Sequence, residues 1–343
     1  RFFVPVTPGT QFVTLGGMVA SDVHGKNHHV EGCFGEHVLA LRMRVGDGRV
    51  VDCSPTVHSD LFFATLGGMG LTGHILEVTF LMKKIPSSWI YQETERVADL
   101  DALLDALGEA ARQFPMTVAW IDCLNEGRGM GRGILYRGRW ATEAEAPKQA
   151  PKPKLRLRVP FQLPSWAMST ESVRLFNSAL YHQHIPRVRR GIVSPEEFFY
   201  PLDSIRDWNR IYGNQAVLPA SKGRGAVRRF LELLTSQGGA SFLCVLKDCG
   251  KEGRGMLSFP MPGTSIALDL ALRDRTQEHI DRLNELVIRE GGRIYLTKDA
   301  LTRPEHFAQM EPRLAAWQKV RDKWDPDHHL RSAQSVRLLG DKP

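Results

Sequence analysis

The sequence predicts an α+β protein in which an antiparallel sheet is backed by helices. Three observations lead there. Residues 1–85 read as short strands separated by glycine-containing turns. At Pro86 the texture changes, and amphipathic helices begin to alternate with apolar strands. That strand–helix–strand grouping puts helices on one face of a sheet. From Arg303 onward the chain turns helical.

The elements follow in order. "HVLALRMRVGDGRVVDC" is two strands around Gly46-Asp47-Gly48, a hairpin signal. "SDLFFATLGG" reads as a short helix capped by Ser59 and ended by Gly67-Gly68, and "GHILEVTFLMKKI" as one long strand. "VADLDALLDALGEAARQF" has apolar residues at helical spacing. "MTVAWIDC" and "GILYRGRW" are strands, and "EAEAPKQAPKPK" is a linker. "GAVRRFLELLTSQ" is a second helix, followed by strands "SFLCVL" and "SIALDLAL". A third helix, "TQEHIDRLNELVIREGG", ends on a glycine pair and leads into a strand "RIYLTK". "HFAQMEPRLAAWQKVRDKW" and "DPDHHLRSAQSVRLL" close the chain as helices.

With 343 residues the chain has room for two domains. Apolar residues make up 42% and charged residues 24%, the composition of a soluble globular protein. No window reaches the ~18 apolar residues of a membrane span, and no secretory signal is evident, so a cytoplasmic or membrane-peripheral location is expected. The net charge of +7 favours an anionic partner. Its densest basic runs are "KPKLRLRV" and "RVRRG". The patterns of nucleic-acid readers are absent, so no nucleic-acid partner is expected. The five cysteines are irregularly spaced and contain no Cys-x-x-Cys, which argues against a disulfide framework. Of Cys244 and Cys249, one is expected buried and one exposed.

Three histidine clusters occur, His28-His29, His182-His184 and His328-His329. Adjacent histidines rarely reach one ion and no His-Glu-x-x-His helix exists, so no metal is expected. There is no Gly-x-Ser-x-Gly elbow. "GRGMGRG" lacks the end of a P-loop and reads as a tight turn. What remains is "VPVTPGTQFVTLGGMVASDVHGKNHH". Gly9 lets backbone approach a ligand closely. Thr14-Leu15-Gly16-Gly17 starts a short helix whose free N–H groups suit a pyrophosphate. His24-Gly25-Lys26-Asn27 follows one short element later and can reach along the same ligand, and "LGGMGLTGHI" can close on it from another side. A glycine-rich loop hub without a ligand is the alternative.

This stretch, continued as "VEGCFGEHV", resembles flavoenzymes of the vanillyl-alcohol-oxidase/p-cresol-methylhydroxylase type, and within them the decaprenylphosphoryl-β-D-ribose 2′-oxidase family. "LFFATLGGMGLTGHI", "FYPLDSIRDWNRIYG", "LSFPMPG", "GGRIYLTKD" and "RDKWDPDHHLRSAQSVRL" look like further blocks of that family. The resemblance implies a partial FAD-binding domain with an inserted cap. Residues 1–88 would form the second half of the FAD-binding domain, 89–292 the substrate-binding cap and 293–343 the return. The family's first subdomain, with its pyrophosphate loop, would precede this chain, and the chain by itself is expected to hold FAD weakly. Gly9, Thr14, Leu15, Gly16, Gly17, His24, Gly25, Lys26, Asn27, Ile75 and Tyr295 would contact non-covalent FAD. Lys298 and His24 would be catalytic. Gln215, Lys247, Ser265 and Ala267 would line the substrate pocket.

The implied reaction is hydride transfer from a secondary alcohol of a sugar or polyol, such as a polyprenyl-phosphate-linked pentose, to flavin N5. A lysine beside the reduced flavin would stabilise its developing charge. A reductase partner completing an epimerisation, in bacterial cell-wall synthesis, is also implied. Departures fall on the substrate side. Mycobacterial members have Cys where this chain has Ala267 and Asn where it has Ser265. Phe199 with Tyr200 stands at an aromatic hydroxyl position, and the segment between Tyr212 and Gln215 is shorter. Two other readings stay open, an aldonolactone- or alditol-type oxidase using oxygen, and a non-catalytic basic module that binds anions.

Overall fold

A computed structural model describes residues 1–153, 166, 169–201, 211–239, 241 and 243–343. Most of the "KPKLRLRV" run and the middle of "FYPLDSIRDWNRIYG" lie outside the described residues. The glycine-rich first part forms β1 (Phe2–Phe3), α1 (Leu15–Ala20), α2 (His28–Glu31), β2 (Val38–Arg44), β3 (Val50–Cys53), α3 (Ser59–Thr65), β4 (His74–Phe80) and β5 (Lys83–Lys84). Next come β6 (Ile90–Val97), α4 (Leu100–Gln113), β7 (Met116–Ile121), β8 (Gly133–Trp140), α5 (Thr170–His182), β9 (Val188–Val193) and α6 (Pro195–Phe199). Then follow β10 (Ile211–Pro219), α7 (Gly223–Ser236), β11 (Cys244–Cys249), β12 (Gly263–Ala271), α8 (Thr276–Glu290) and β13 (Arg293–Ile294). Three helices end the chain, α9 (Pro304–Met310), α10 (Leu314–Trp324) and α11 (Ala333–Leu339).

The expected α+β class is what the structure shows. Eight antiparallel strands make one large sheet in the order β13-β10-β12-β11-β7-β8-β6-β9, and β3-β2-β4 make a small one. Alternate residues of a strand point to opposite faces. On one face of the large sheet, Ala119, Ile121, Leu135, Ala216, Leu218, Leu246, Ile266 and Leu268 pack against Leu103 and Leu107 of α4, Phe230 and Leu231 of α7, and Ile280 and Leu283 of α8. This is the main core. The helices form where the apolar spacing says they should: Asp99 caps α4 by accepting from the Ala102 N–H at 2.9 Å, and α8 stops at Gly291, whose φ of +73° suits glycine. A second core fills the space between the small sheet, α1, α3 and Trp324.

Several expectations are corrected. α3 begins at Ser59, but the residue that caps it is His58, with no side-chain bond. The single strand read over 73–85 is two: β4 joins the small sheet, whereas β5 pairs with β1. "RIYLTK" gives only the two-residue β13, after which Leu296–Lys298 close a 3₁₀ turn. The closing helical stretch breaks at Glu311-Pro312, where a proline disfavours helix in the residue before it. Both Cys244 and Cys249 are buried, because both are on β11 in the middle of the large sheet, and all five cysteines are free. The strand β6, helix α5 and strand β9 had no sequence reading of their own. Among the described residues no helix is long and apolar enough to cross a membrane.

Candidate active site

The face of the large sheet away from the helices carries Gln215 and Val217 on β10, Ser265 and Ala267 on β12, and Val245 and Lys247 on β11. The register puts Gln215 opposite Ala267, Ala267 opposite Val245, and Lys247 opposite Ser265. The loop between α1 and α2 crosses above this face and delivers His24. The residue is almost fully buried and is pinned by an isolated bridge to Cys33. Gly25 follows because nothing larger fits: a Cβ there would lie 2.6 Å from Asn27 Oδ1 and 2.8 Å from the Thr7 carbonyl. Asn27 in turn donates through Nδ2 to the Pro5 carbonyl at 2.8 Å.

His24 meets the sheet at both ring nitrogens. Lys247 Nζ is 3.2 Å from Nδ1, and the Gln215 amide is 3.0 Å from Nε2 and 2.8 Å from Ser265 Oγ. An ammonium can only donate, so Nδ1 accepts from Lys247. A neutral ring then carries its proton on Nε2, and Gln215 meets it with the amide oxygen, turned end for end from the assignment in which its nitrogen faces the ring. Burial, followed by the charges of Lys247, His28 and Lys298, holds His24 well below the ordinary histidine range, so the ring is neutral at pH 7. Burial brings Lys247 down to about 8, with Lys298 adding to the shift.

Tyr295 and Lys298 come from the other side. The Tyr295 N–H donates to the Gln215 carbonyl at 2.8 Å, and one turn later the Lys298 N–H donates to the Tyr295 carbonyl at 2.9 Å. The Lys298 side chain runs along Gly213, where a Cβ would sit 3.8 Å from Lys298 Cδ and 3.4 Å from Asp269 Oδ1. The Tyr295 ring stacks on Phe259 at 4.9 Å, and both rings lie against His24, at 5.2 and 5.5 Å.

The structure therefore gathers His24, Gln215, Lys247, Ser265, Tyr295 and Lys298 at one place, with Ala267 in the adjoining row. Thr14 to Gly17 form a second, more exposed group with Ile75, whose Cβ is 3.7 Å from a Cβ placed on Gly16, and Gly9 is exposed in the loop before them. Thr14 caps α1 and its hydroxyl already accepts from the Gly17 N–H at 3.0 Å, so fewer N–H groups are free there than the sequence suggested. Lys26 turns its ammonium to the carbonyls of Phe198 and Phe199 at the end of α6, and burial lowers it to about 7.

Sequence reasoning passed over Phe259, which lay inside a quoted block without any periodic signal. It also missed the supports behind His24. His28 accepts from the Gly250 N–H at 3.0 Å and lies 3.5 Å from Cys33 Sγ; burial first, then Lys247, lowers it to about 4. Asp22 accepts from the Gly35 N–H at 2.7 Å and from the Ser258 hydroxyl, and burial raises it to about 6. These bonds tie the loop that carries His24 to the segment that carries Phe259.

No protein-family model matches the chain. It is 32% identical to a decaprenylphosphoryl-β-D-ribose oxidase of Mycolicibacterium smegmatis, over 98% of this chain and 76% of that protein. It is equally identical, at 32%, to an uncharacterized protein of the mprA 5′ region of Streptomyces coelicolor, over 98% of this chain and 96% of that one. A D-arabinono-1,4-lactone oxidase of Yarrowia lipolytica is 25% identical over 64% of this chain and 36% of its own length. The chain belongs to the decaprenylphosphoryl-β-D-ribose oxidase family of FAD-linked oxidoreductases, and it is an oxidoreductase.

Proposed function

We propose that the protein oxidises a secondary alcohol of a sugar or polyol at the cleft between His24, Lys247 and Lys298, with non-covalently bound FAD as the acceptor. The observation that carries this reading is the neutral, doubly anchored His24 beside two lysines. Gly9, Thr14 to Gly17, Gly25, Lys26, Asn27, Ile75 and Tyr295 would hold the cofactor. Their setting fits: among the described residues a Cβ on Gly9 meets nothing within 4 Å and the buried Thr7 hydroxyl has no hydrogen-bond partner, and the apolar Phe12, Val13 and Leu15, a little further along the chain, are exposed. Non-covalent attachment is supported by His24 and His28, whose ring nitrogens are all engaged. Bound FAD supplies the two-electron acceptor for the hydrogen on the alcohol carbon.

The chain's own residues supply the rest. A neutral imidazole whose Nδ1 lone pair faces the cleft can take the hydroxyl proton once the alcohol displaces Lys247 from it. The ammonium groups of Lys247 and Lys298 place positive charge where the oxygen becomes negative. Gln215 and Ser265 fix the ring of His24. The Tyr295–Phe259 stack walls the site against water. Ala267 leaves room above the sheet.

The name of the M. smegmatis relative supports a polyprenyl-phosphate-linked pentose as substrate; a keto product passed to a partner reductase, and a place in the cytoplasm or at the membrane surface, are further parts of this proposal. A second reading is oxidation of a sugar lactone or alditol with oxygen; the name of the Y. lipolytica relative supports its lactone form. Comparing a lipid-linked pentose with L-galactono- and arabinono-lactones under anaerobic and aerobic conditions separates the two. Lys298→Ala tests the mechanism: with flavin content unchanged, flavin reduction by substrate slows ~10²–10³-fold, the usual effect of removing one preorganised charge. Unchanged reduction kinetics would remove Lys298 from the reaction.

A further inference from the structure

A cavity of about 340 Å³ lies on the same face of the large sheet, towards its β9 edge, roofed by α5. Its walls include Gln92 and Thr94 of β6, Tyr136 of β8, Gln183 and His184 after α5, and Arg189 of β9. Strand register aligns it with the redox site. Tyr136 pairs with Val118 and with Thr94, and Thr94 pairs with Arg189. Val245, two residues from Lys247 on the same face of β11, pairs with Trp120, and Trp120 pairs with Ile134, which also lines the cavity. One row therefore runs Val245, Trp120, Ile134, and beside it runs a second, Val118, Tyr136, Thr94, Arg189. At ~4.8 Å per strand, Ile134 stands about 10 Å from Val245.

The lining has spare hydrogen-bonding capacity and a positive charge. The side chains of Gln92, Tyr136 and Gln183 make no hydrogen bond to any described residue. His184 and Thr94 are buried and bond each other at 3.2 Å. Arg189 donates only to the carbonyls of Gln183 and Ile185, so among the described residues no carboxylate neutralises it. Among the described residues no aspartate or glutamate lines the cavity. The basic "RVRRG" run supplies part of this wall.

We infer that this cavity is a second subsite that takes a phosphate-bearing group, 10–15 Å (roughly two to three strand spacings) from the redox site. One guanidinium, a phenol and two amides converging on one space suit the several acceptor oxygens of a phosphate better than a neutral ligand. The distance exceeds the span of one sugar ring. The group is thus either the far end of a substrate longer than a monosaccharide or a separate sugar phosphate. The inference does not rest on the redox reading, since it concerns binding alone.

Isothermal calorimetry of the whole protein with ribose 5-phosphate and with inorganic phosphate tests it. Gln92→Leu combined with Tyr136→Phe should weaken ribose 5-phosphate binding at least tenfold, with the melting temperature kept, because neither side chain has a hydrogen-bond partner to lose among the described residues. Lys247→Met should leave that binding in place. No binding to the wild type, binding untouched by the double variant, or binding lost in Lys247→Met alone overturns the inference. Calorimetry needs neither flavin nor turnover, so each of these results leaves the redox reading intact. If ribose 5-phosphate competes with the alcohol substrate, the pocket holds the substrate's far end. If it binds without competing, the pocket serves a separate ligand.

Discussion

The two faces of the eight-stranded sheet come from the same strands and differ in almost every other respect. On the helix side, Leu246, Ile266, Leu268 and Phe230 are buried among other apolar side chains. On the other side, one residue along, stand Lys247, Ser265 and Ala267, with Gln215 beside them on β10 and His24 above. A period of two lets one strand serve both purposes. Stability is concentrated on the first face, where burial is apolar and needs no partner. Chemistry is concentrated on the second, where buried polar groups are kept by mutual hydrogen bonds and where the charged states of Lys247 and His24 are shifted by burial.

The contrast can be broken first on the helix side. Phe230→Ala leaves a cavity in a fully buried site and should cost about 3–5 kcal/mol, seen as a lower denaturant midpoint. The surviving folded fraction should keep its full reduction rate. A variant as stable as the wild type would show that the helix layer is not the main support of the sheet.

On the site face the effects should reverse. Lys247→Met should slow flavin reduction about 10²-fold. It should leave stability nearly unchanged, since an apolar group replaces a partly desolvated charge. It should also remove a limb of the pH profile. With Lys247 at about 8, the wild-type rate should fall as pH rises through that value and the ammonium is lost. A wild-type profile flat from pH 7 to 9 (about one unit either side of that value) would contradict this assignment.

The smallest effect at neutral pH is expected at Asp22, which links the two sides of the cleft. Its carboxyl is raised from 3.8 to about 6 by burial. Between those values the folded chain holds a proton that the unfolded chain has released, so the stability due to this group falls as pH rises through the window. Asp22→Asn keeps an acceptor for Gly35 and a partner for Ser258. It should flatten that part of the stability curve while changing little at pH 7. An unchanged slope between pH 4 and 6 (roughly the carboxylate window) would mean that another group titrates there.

The helix face was largely legible in the sequence, because α4, α7 and α8 have long 3.6-period stretches and β12 alternates cleanly. The register that brings Lys247 opposite Ser265 was not, since pairing depends on strands far apart in the chain. "GHILEVTFLMKKI" shows the same limit: nothing local says that its last residues leave the small sheet to pair with β1. The His24 loop could be singled out by its crowd of polar residues after Gly16-Gly17. Its anchors could not, because Gln215 and Lys247 lie 191 and 223 residues away. β6 and β9 escaped notice because charged residues crowd them; Glu93 and Glu95 are held by Arg137, Arg187 and Arg190 across the strands.

The most direct test of the central claim is anaerobic mixing of the flavin-loaded protein with a panel of pentose and polyol alcohols, lipid-linked and free, while the flavin absorbance is followed. The account predicts bleaching by at least one secondary alcohol in the wild type. It predicts much slower bleaching by the same alcohol in both Lys247→Met and Lys298→Ala at equal flavin content. Bleaching at the wild-type rate in both variants would contradict it, because the reaction would then take place without the cluster on the open face of the sheet.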